Sequence, residues 1–195
     1  MRFLAVQILN SLALLLAAGL LLVAAQQGSP AAAPPGAQFT LMTSAYSDGA
    51  NIPVKYSCDG KPNAVSPALQ WSNPPSGAVS FTLILHDADA HAAKSMWDVT
   101  HWIVWNIPGS VSQLPEGVAA APQMPDGTTQ GVNVRGVNGY QGPCAAPGKP
   151  HHYTLELYAL DTKLDLGPTS ARADVMKAMD GHIIGKAVYI GMFHR

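Results

Sequence analysis

Three strand-like segments of this chain end in carboxylates, imidazoles and a phenol, and that pattern constrains the fold more than any other feature. In the first, residues 79–86, Val79, Phe81, Leu83 and Leu85 alternate with Ser80, Thr82 and His86, and the run enters Asp87-Ala88-Asp89. The second is Thr100-His101-Trp102-Ile103-Val104-Trp105-Asn106-Ile107-Pro108. The third begins in the loop Gly139-Tyr140-Gln141-Gly142-Pro143-Cys144, continues through Pro147-Gly148-Lys149-Pro150, and enters His151-His152-Tyr153 and the apolar run to Asp161. Polar groups at the ends of apolar strands stand at the rim of a sheet, where a rigid scaffold presents a site.

The strand signals are residues 39–42, 52–57, 68–71, 79–86, 101–107, 153–160 and 187–194, separated by turns such as Asn73-Pro74-Pro75-Ser76-Gly77 and Pro108-Gly109. One helix is expected near the C-terminus. Ser170 is its expected N-cap, Asp174 lies in the first turn, Ala171, Val175 and Met179 recur at i+4, and Gly181 stops the run. Many strands and one late helix predict a mainly β domain. The segment from Pro108 to Pro150 is too long for a simple connection, and long irregular segments in compact domains often carry function.

The N-terminus reads as a targeting segment. Arg2 supplies a positive n-region, residues 12–23 form an uncharged apolar core, and Val23-Ala24-Ala25 is a small-residue cleavage signal. The expectation is a signal peptide over 1–25, a flexible Ala/Pro/Gly-rich spacer over 26–38, and one domain over 39–195 in an exported protein, periplasmic or secreted. An uncleaved anchor helix is the alternative, interrupted by Asn10 and Ser11. Net charge is −1 and the basic residues are scattered, which argues against a nucleic-acid partner. Membrane contact is expected only through the leader or a lipid ligand. The two cysteines, Cys58 and Cys144, are an even count in an exported chain and favour one disulfide over two buried thiols. Neither belongs to a Cys-x-x-Cys spacing, so a metal pair is not expected.

Taken together, Asp87-Ala88-Asp89, His101-Trp102-Ile103-Val104, the Gly139–Pro143 loop and His151-His152-Tyr153 resemble the phosphatidylethanolamine-binding protein family, which includes the Raf kinase inhibitor proteins. The resemblance is to its bacterial and archaeal branch and spans Phe39 to Arg195. Supporting matches are Cys58-Asp59-Gly60, Ser66-Pro67-Ala68-Leu69-Gln70-Trp71, Leu114-Pro115-Glu116-Gly117, Tyr158-Ala159-Leu160-Asp161 and Gly181-His182-Ile183. It implies a large antiparallel sheet packed on a smaller one, with a peripheral helix. Some positions depart from the family pattern. Ala88 replaces a proline and frees that turn's φ. His91 stands where a proline usually follows, His152 replaces an arginine, and Phe193 stands where relatives often carry Tyr. Ligand preference is therefore expected to differ from that of the better-known members.

Period-two geometry puts His151 and Tyr153 on one side of their strand and His152 on the other, and puts Asp87 and Asp89 on one side of an extended backbone. The resemblance carries a ligand-binding role onto Asp87, His101, His151 and Tyr153. Asp89 is either a further member or only a turn cap, and Tyr140, Gly142 and Pro143 form a wall. Two imidazoles and a phenol donate to phosphate or carboxylate oxygens, and a neighbouring carboxylate favours the charged imidazole. The same carboxylate accepts from an ammonium group, so the set suits phosphate or a phosphoethanolamine head group. Trp71, Trp102 and Trp105 are expected in the core, Trp97 is a candidate for the pocket mouth, and His91, His182 and His194 are read as surface or structural.

The preferred reading is a non-enzymatic binding protein for a small anion or phospholipid head group, without a cofactor. The alternative is a regulator of a protein partner, such as a serine protease inhibitor. Asp87, His101 and His151 also have the ligand types of an iron or zinc site. The chain lacks H-E-x-x-H and G-x-S-x-G, which weakens that third reading.

Overall fold

Strands β3 (Ser80–His91), β4 (Asp98–Pro108) and β7 (His151–Leu160) form the centre of the protein. The structure is a computed structural model and describes residues 36–91 and 96–195. The expected leader and nearly all of the spacer lie outside the described residues. The remaining elements are β1 (Thr40–Met42), β2 (Leu69–Ser72), β5 (Gln113–Leu114), β6 (Thr129–Gln130), α1 (Arg172–Met179) and β8 (Ile183–Phe193).

Two sheets form, a five-stranded one in the order β6-β4-β3-β7-β8 and a three-stranded one in the order β1-β2-β5. All their strand pairs are antiparallel. The expected mainly β architecture, a large sheet on a small one with one helix, is what the described residues adopt. The main core lies between the sheets, where Leu41, Leu69 and Trp71 meet Phe81, Leu83, Leu85 and Trp102. Trp71 packs edge-on to Phe81 at 5.3 Å between ring centroids. A second core lies on the other face of the large sheet, where Val175 and Met179 of α1 cover Ile84, Ile103, Trp105 and Leu160.

This second core changes the reading of β3. Alternation predicts a half-buried strand, yet residues Ser80 to Asp87 are all buried, because β3 is central and α1 covers its second face. Of its polar members, Ser80 Oγ donates to the Thr162 carbonyl at 2.5 Å, whereas the buried Thr82 hydroxyl has no hydrogen-bond partner among the described residues. The strand expected at 52–57 is not formed. Val54–Tyr56 is instead a single 3-10 turn, with Ser57 Oγ donating back to the Val54 carbonyl at 2.9 Å. The four residues Val54-Lys55-Tyr56-Ser57 between Pro53 and Cys58-Asp59-Gly60 are too few to pair along their length. The helix N-cap is Ala171 rather than Ser170, and the Ala171 amide donates to the Asp174 carboxylate at 3.0 Å. Among the described residues no helix is long and apolar enough to cross a membrane.

Candidate functional site

The register of the large sheet brings the sequence-derived residues to one rim. Asp87 of β3 pairs with Tyr153 of β7, and His101 follows Thr100 of β4, the partner of His86. Asp87 and His101 are buried, although both are polar. Tyr153 lies between the two imidazoles. Its ring meets His101 edge-on at 5.1 Å and stacks on His151 at 6.5 Å.

Each polar group has a defined partner. His151 Nδ1 lies 2.8 Å from Asp87 Oδ2, so that nitrogen carries the proton and Nε2 is left for a ligand. His101 Nδ1 lies 3.0 Å from the Gln141 carbonyl, which can only accept, so His101 also has its Nδ1 protonated. The Gln141 amide donates back to the His101 carbonyl at 2.9 Å. The Cys144 amide donates to the Tyr153 hydroxyl oxygen at 3.1 Å. Burial pushes the Tyr153 phenol up to about 12, and the Asp87 carboxylate adds to the effect, so Tyr153 is a neutral hydroxyl. Burial pushes His101 below the usual imidazole value, against weaker opposing effects of the Gln141 carbonyl and the Asp87 carboxylate.

That last shift differs from the expectation that Asp87 favours the charged form of both histidines. Asp87 hydrogen-bonds His151, whereas desolvation dominates at His101. The two carboxylates also part company. The Asp89 amide donates to Asp87 Oδ1 at 3.0 Å, at the point where the β3–β4 register slips between Asp87 and His91, so the regular two-residue alternation is broken there. Asp89 Oδ2 then accepts from the His152 amide at 2.5 Å and lies 2.7 Å from His152 Nδ1, on the exposed side. Those bonds from His152 hold the Asp89 carboxyl below its usual range. Asp87, His101, His151 and Tyr153 are thus brought together, and Asp89 is turned to His152.

The wall is built by the loop before β7. Tyr140 donates its hydroxyl to the Tyr56 carbonyl at 2.6 Å and packs edge-on to Trp102 at 5.5 Å. Gly142 is required by close approach, since a Cβ there would sit 2.6 Å from the Ser57 carbonyl carbon and 2.8 Å from the Cys58 nitrogen. The Pro143 carbonyl accepts from the Cys58 amide at 2.9 Å. A disulfide joins Cys58 to Cys144, with 5.3 Å between their Cα atoms.

Several residues that sequence reasoning missed emerge here. The Gln141 carbonyl and the Cys144 amide are backbone groups, which leave no trace in residue identity. Arg195 donates to both disulfide sulfurs from the far end of the chain. The Arg172 guanidinium, at the start of α1, lies over the Trp97 ring, 5.4 Å from its centroid. The expected core tryptophans Trp71, Trp102 and Trp105 are all buried. Among the described residues no group of three or more His, Cys, Asp or Glu is arranged to hold a metal ion. A separate concavity between Gln38–Leu41 and Lys186–Val188 has Lys186 as its charged side chain and shares no residue with this cluster.

Comparison with known proteins agrees with this fold. The family model described as phosphatidylethanolamine-binding protein matches residues 42–194. A UPF0098 protein of Methanothermobacter thermautotrophicus is 44% identical over 155 residues, covering 80% of this chain and 98% of that protein. The crystal structure of the phosphatidylethanolamine-binding protein homolog CT736 of Chlamydia trachomatis is 36% identical. It aligns with a TM-score of 0.71 over 81% of this chain and 98% of that one. YbcL of E. coli, described as a member of the mammalian family, is 30% identical with a TM-score of 0.72, over 82% and 99% of the two chains. With the two-sheet fold, the motif order and these matches in agreement, this chain belongs to the phosphatidylethanolamine-binding protein family.

Proposed function

We propose that the rim of β3, β4 and β7 binds a small anion or the phosphate of a phospholipid head group without catalysing a reaction on it. The observation that carries this reading is the buried Asp87 carboxylate on Nδ1 of a partly exposed His151, with neutral Tyr153 and buried His101 beside it. A carboxylate behind an imidazole fixes its tautomer and supports the charge that an anion induces. Asp87 would also accept from an ammonium group, which suits phosphoethanolamine. The leader motif and the joined cysteines support a location outside the cytoplasm.

Titration calorimetry with sulfate or a phosphodiester tests the site, because neither probe changes charge between pH 6 and 8. Replacing His151 by Ala removes a charge-assisted hydrogen bond worth roughly 1.5–3 kcal/mol, or about 10- to 150-fold in affinity. His152→Ala changes affinity less than about twofold, since His152 faces away with Asp89. Equal losses at the two positions, or none at His151, would remove the site.

A further inference from the structure

The Cys58–Cys144 bridge has a cation on both of its sulfurs. Both cysteines are half-buried, so solvent reaches the bridge. Arg195 Nη2 lies 2.8 Å from Cys144 Sγ and 2.9 Å from Cys58 Sγ. Its Nε lies 3.3 Å from Asp59 Oδ2, which orients the guanidinium and leaves the Nη2 edge against the sulfurs. A disulfide sulfur is a weak acceptor and gains little from such a partner. A thiolate gains a great deal, because an adjacent cation lowers the thiol's pKa. Exchange is faster when the leaving thiol has a lower pKa. Arg195 therefore favours the opened bridge over the closed one, while the Asp59 carboxylate partly offsets it.

The bridge also sits where opening has a structural consequence. The Cys144 amide holds the Tyr153 hydroxyl and the Cys58 amide holds the Pro143 carbonyl. These two bonds and the disulfide fasten the Pro143–Cys144 end of the wall to strand β7 and to the turn at Tyr56, while Tyr140 and Gln141 hold its other end through Tyr56 and His101.

We propose that Cys58–Cys144 is an exchange site for low-mass anionic thiols such as glutathione, activated by Arg195, and that opening it releases the Pro143–Cys144 end of the pocket wall. The thiolate of the attacking molecule bonds to one cysteine sulfur, the Cys58–Cys144 bond breaks, and its electron pair leaves on the other sulfur beside Arg195. A second thiolate attacks the mixed disulfide, releasing the oxidised small-molecule disulfide and leaving two cysteines, each of which takes a proton from water. The inference goes beyond the anion-binding reading, and its readouts need no anion.

The bridge-opening rate with reduced glutathione is measured by acid quench, alkylation and intact mass at fixed pH. Arg195→Gln slows opening by about three- to tenfold, through the weaker leaving group, and Asp59→Asn speeds it by about twofold or more. Equal rates in the three proteins, or a faster Arg195→Gln, would overturn the activation. The wall is read separately by amide hydrogen exchange of the oxidised and the reduced, alkylated protein. Protection of the Cys58 and Cys144 amides falls at least about tenfold on reduction while that of β3 is retained, as expected for local opening. Unchanged protection at Cys144 would overturn the coupling to the wall. Protection of β3 in the Arg195→Gln protein shows whether its exchange rate reports on the bridge or on a loosened fold.

Discussion

Asp87 and His151 form a hydrogen-bonded pair of 2.8 Å across neighbouring strands, with the carboxylate buried and the imidazole over a quarter exposed. The accessible imidazole donates its Nδ1–H to the buried carboxylate, which fixes its tautomer and leaves Nε2 as the atom that the proposed anion would meet. His101 is different. It is buried, and its Nδ1–H is taken by a backbone carbonyl.

This difference predicts a pH dependence of stability. Burial lowers the His101 pKa in the folded state, so the unfolded chain binds the proton more readily. Stability is then full above the unfolded value of about 6.5 and declines as pH falls toward the folded value. Asp89 and Glu116 act in a lower window. His152 lowers the Asp89 pKa, and Lys55 and Tyr56 lower that of Glu116, so their contributions are lost only below about 4.5. Urea unfolding at pH 7.5 and 5.5 should show a loss that His101→Gln reduces. An unchanged loss in that variant would place its origin elsewhere.

An anion at the same rim reverses the cost of charging His101 by supplying a counter-charge. Sulfate binding is therefore expected to take up protons, with affinity rising as pH falls from about 8 to 6. Calorimetry in buffers of different ionisation enthalpy counts those protons directly. No net uptake across this range would mean that the imidazoles do not charge on binding.

The first residue of α1 is tied to the large sheet through charge. Arg172 bonds Asp98 Oδ1, and Asp98 Oδ2 lies 2.5 Å from His86 Nδ1. His86 Nε2 faces Glu156 at 3.7 Å, and Glu156 also meets Lys186. The Arg172 side chain is about nine-tenths buried and that of Asp98 is a quarter exposed. Removing one partner of a wholly buried pair costs about 3–5 kcal/mol, and partial solvation lowers this to about 2–3 kcal/mol for Arg172→Ala. Denaturant unfolding should show that loss, with little change in sulfate affinity, because the network lies on the sheet face opposite the site. A loss below about 1 kcal/mol would mean that water screens the pair.

Gly142→Ala tests the wall. The new Cβ would meet backbone atoms of Tyr56, Ser57 and Cys58 at under 3 Å, and backbone cannot rotate aside as a side chain does. The expected cost is about 1–3 kcal/mol, with the 140–144 loop displaced from Tyr56. Gly148→Ala is a poor control despite the open space around it, since Gly148 has φ of 143°. Gly167→Ala, in open space without a positive φ, should be nearly neutral. Equal stability of the Gly142 and Gly167 variants would show that the close approach is not maintained in solution.

The bridge closes a loop with a sequence separation of 86. The chain-entropy model gives about 4–5 kcal/mol for a loop of this size. The Cys58→Ala/Cys144→Ala double variant should lose most of that in guanidinium unfolding. Two thiols reacting with alkylating reagent in unreduced, denatured wild-type protein would mean that the bridge does not form.

Local sequence determined the long strands, because alternating apolar residues bounded by Pro and Gly leave few other ways to bury that surface, whereas the two-residue β5 and β6 left no such signal. It also carried the membership of the rim. Asp87, His101, His151 and Tyr153 follow from motif order and from the two-residue period of β7. Segment 52–57 was misread as a strand, since its pairing depends on neighbours that a local pattern does not contain. The division of labour at the rim was equally out of reach. Whether Asp87 serves His151 or His101, and whether Asp89 joins it or turns to His152, depends on one bulge and one turn at the end of β3. Arg195 lies over a disulfide whose cysteines are 137 and 51 residues away in the chain. Burial, which sets the protonation of His101 and Tyr153, is a sum over residues from many segments. Residue identity determines what chemistry a side chain can perform, and only the packed tertiary structure decides which partner it meets and how much water remains around it.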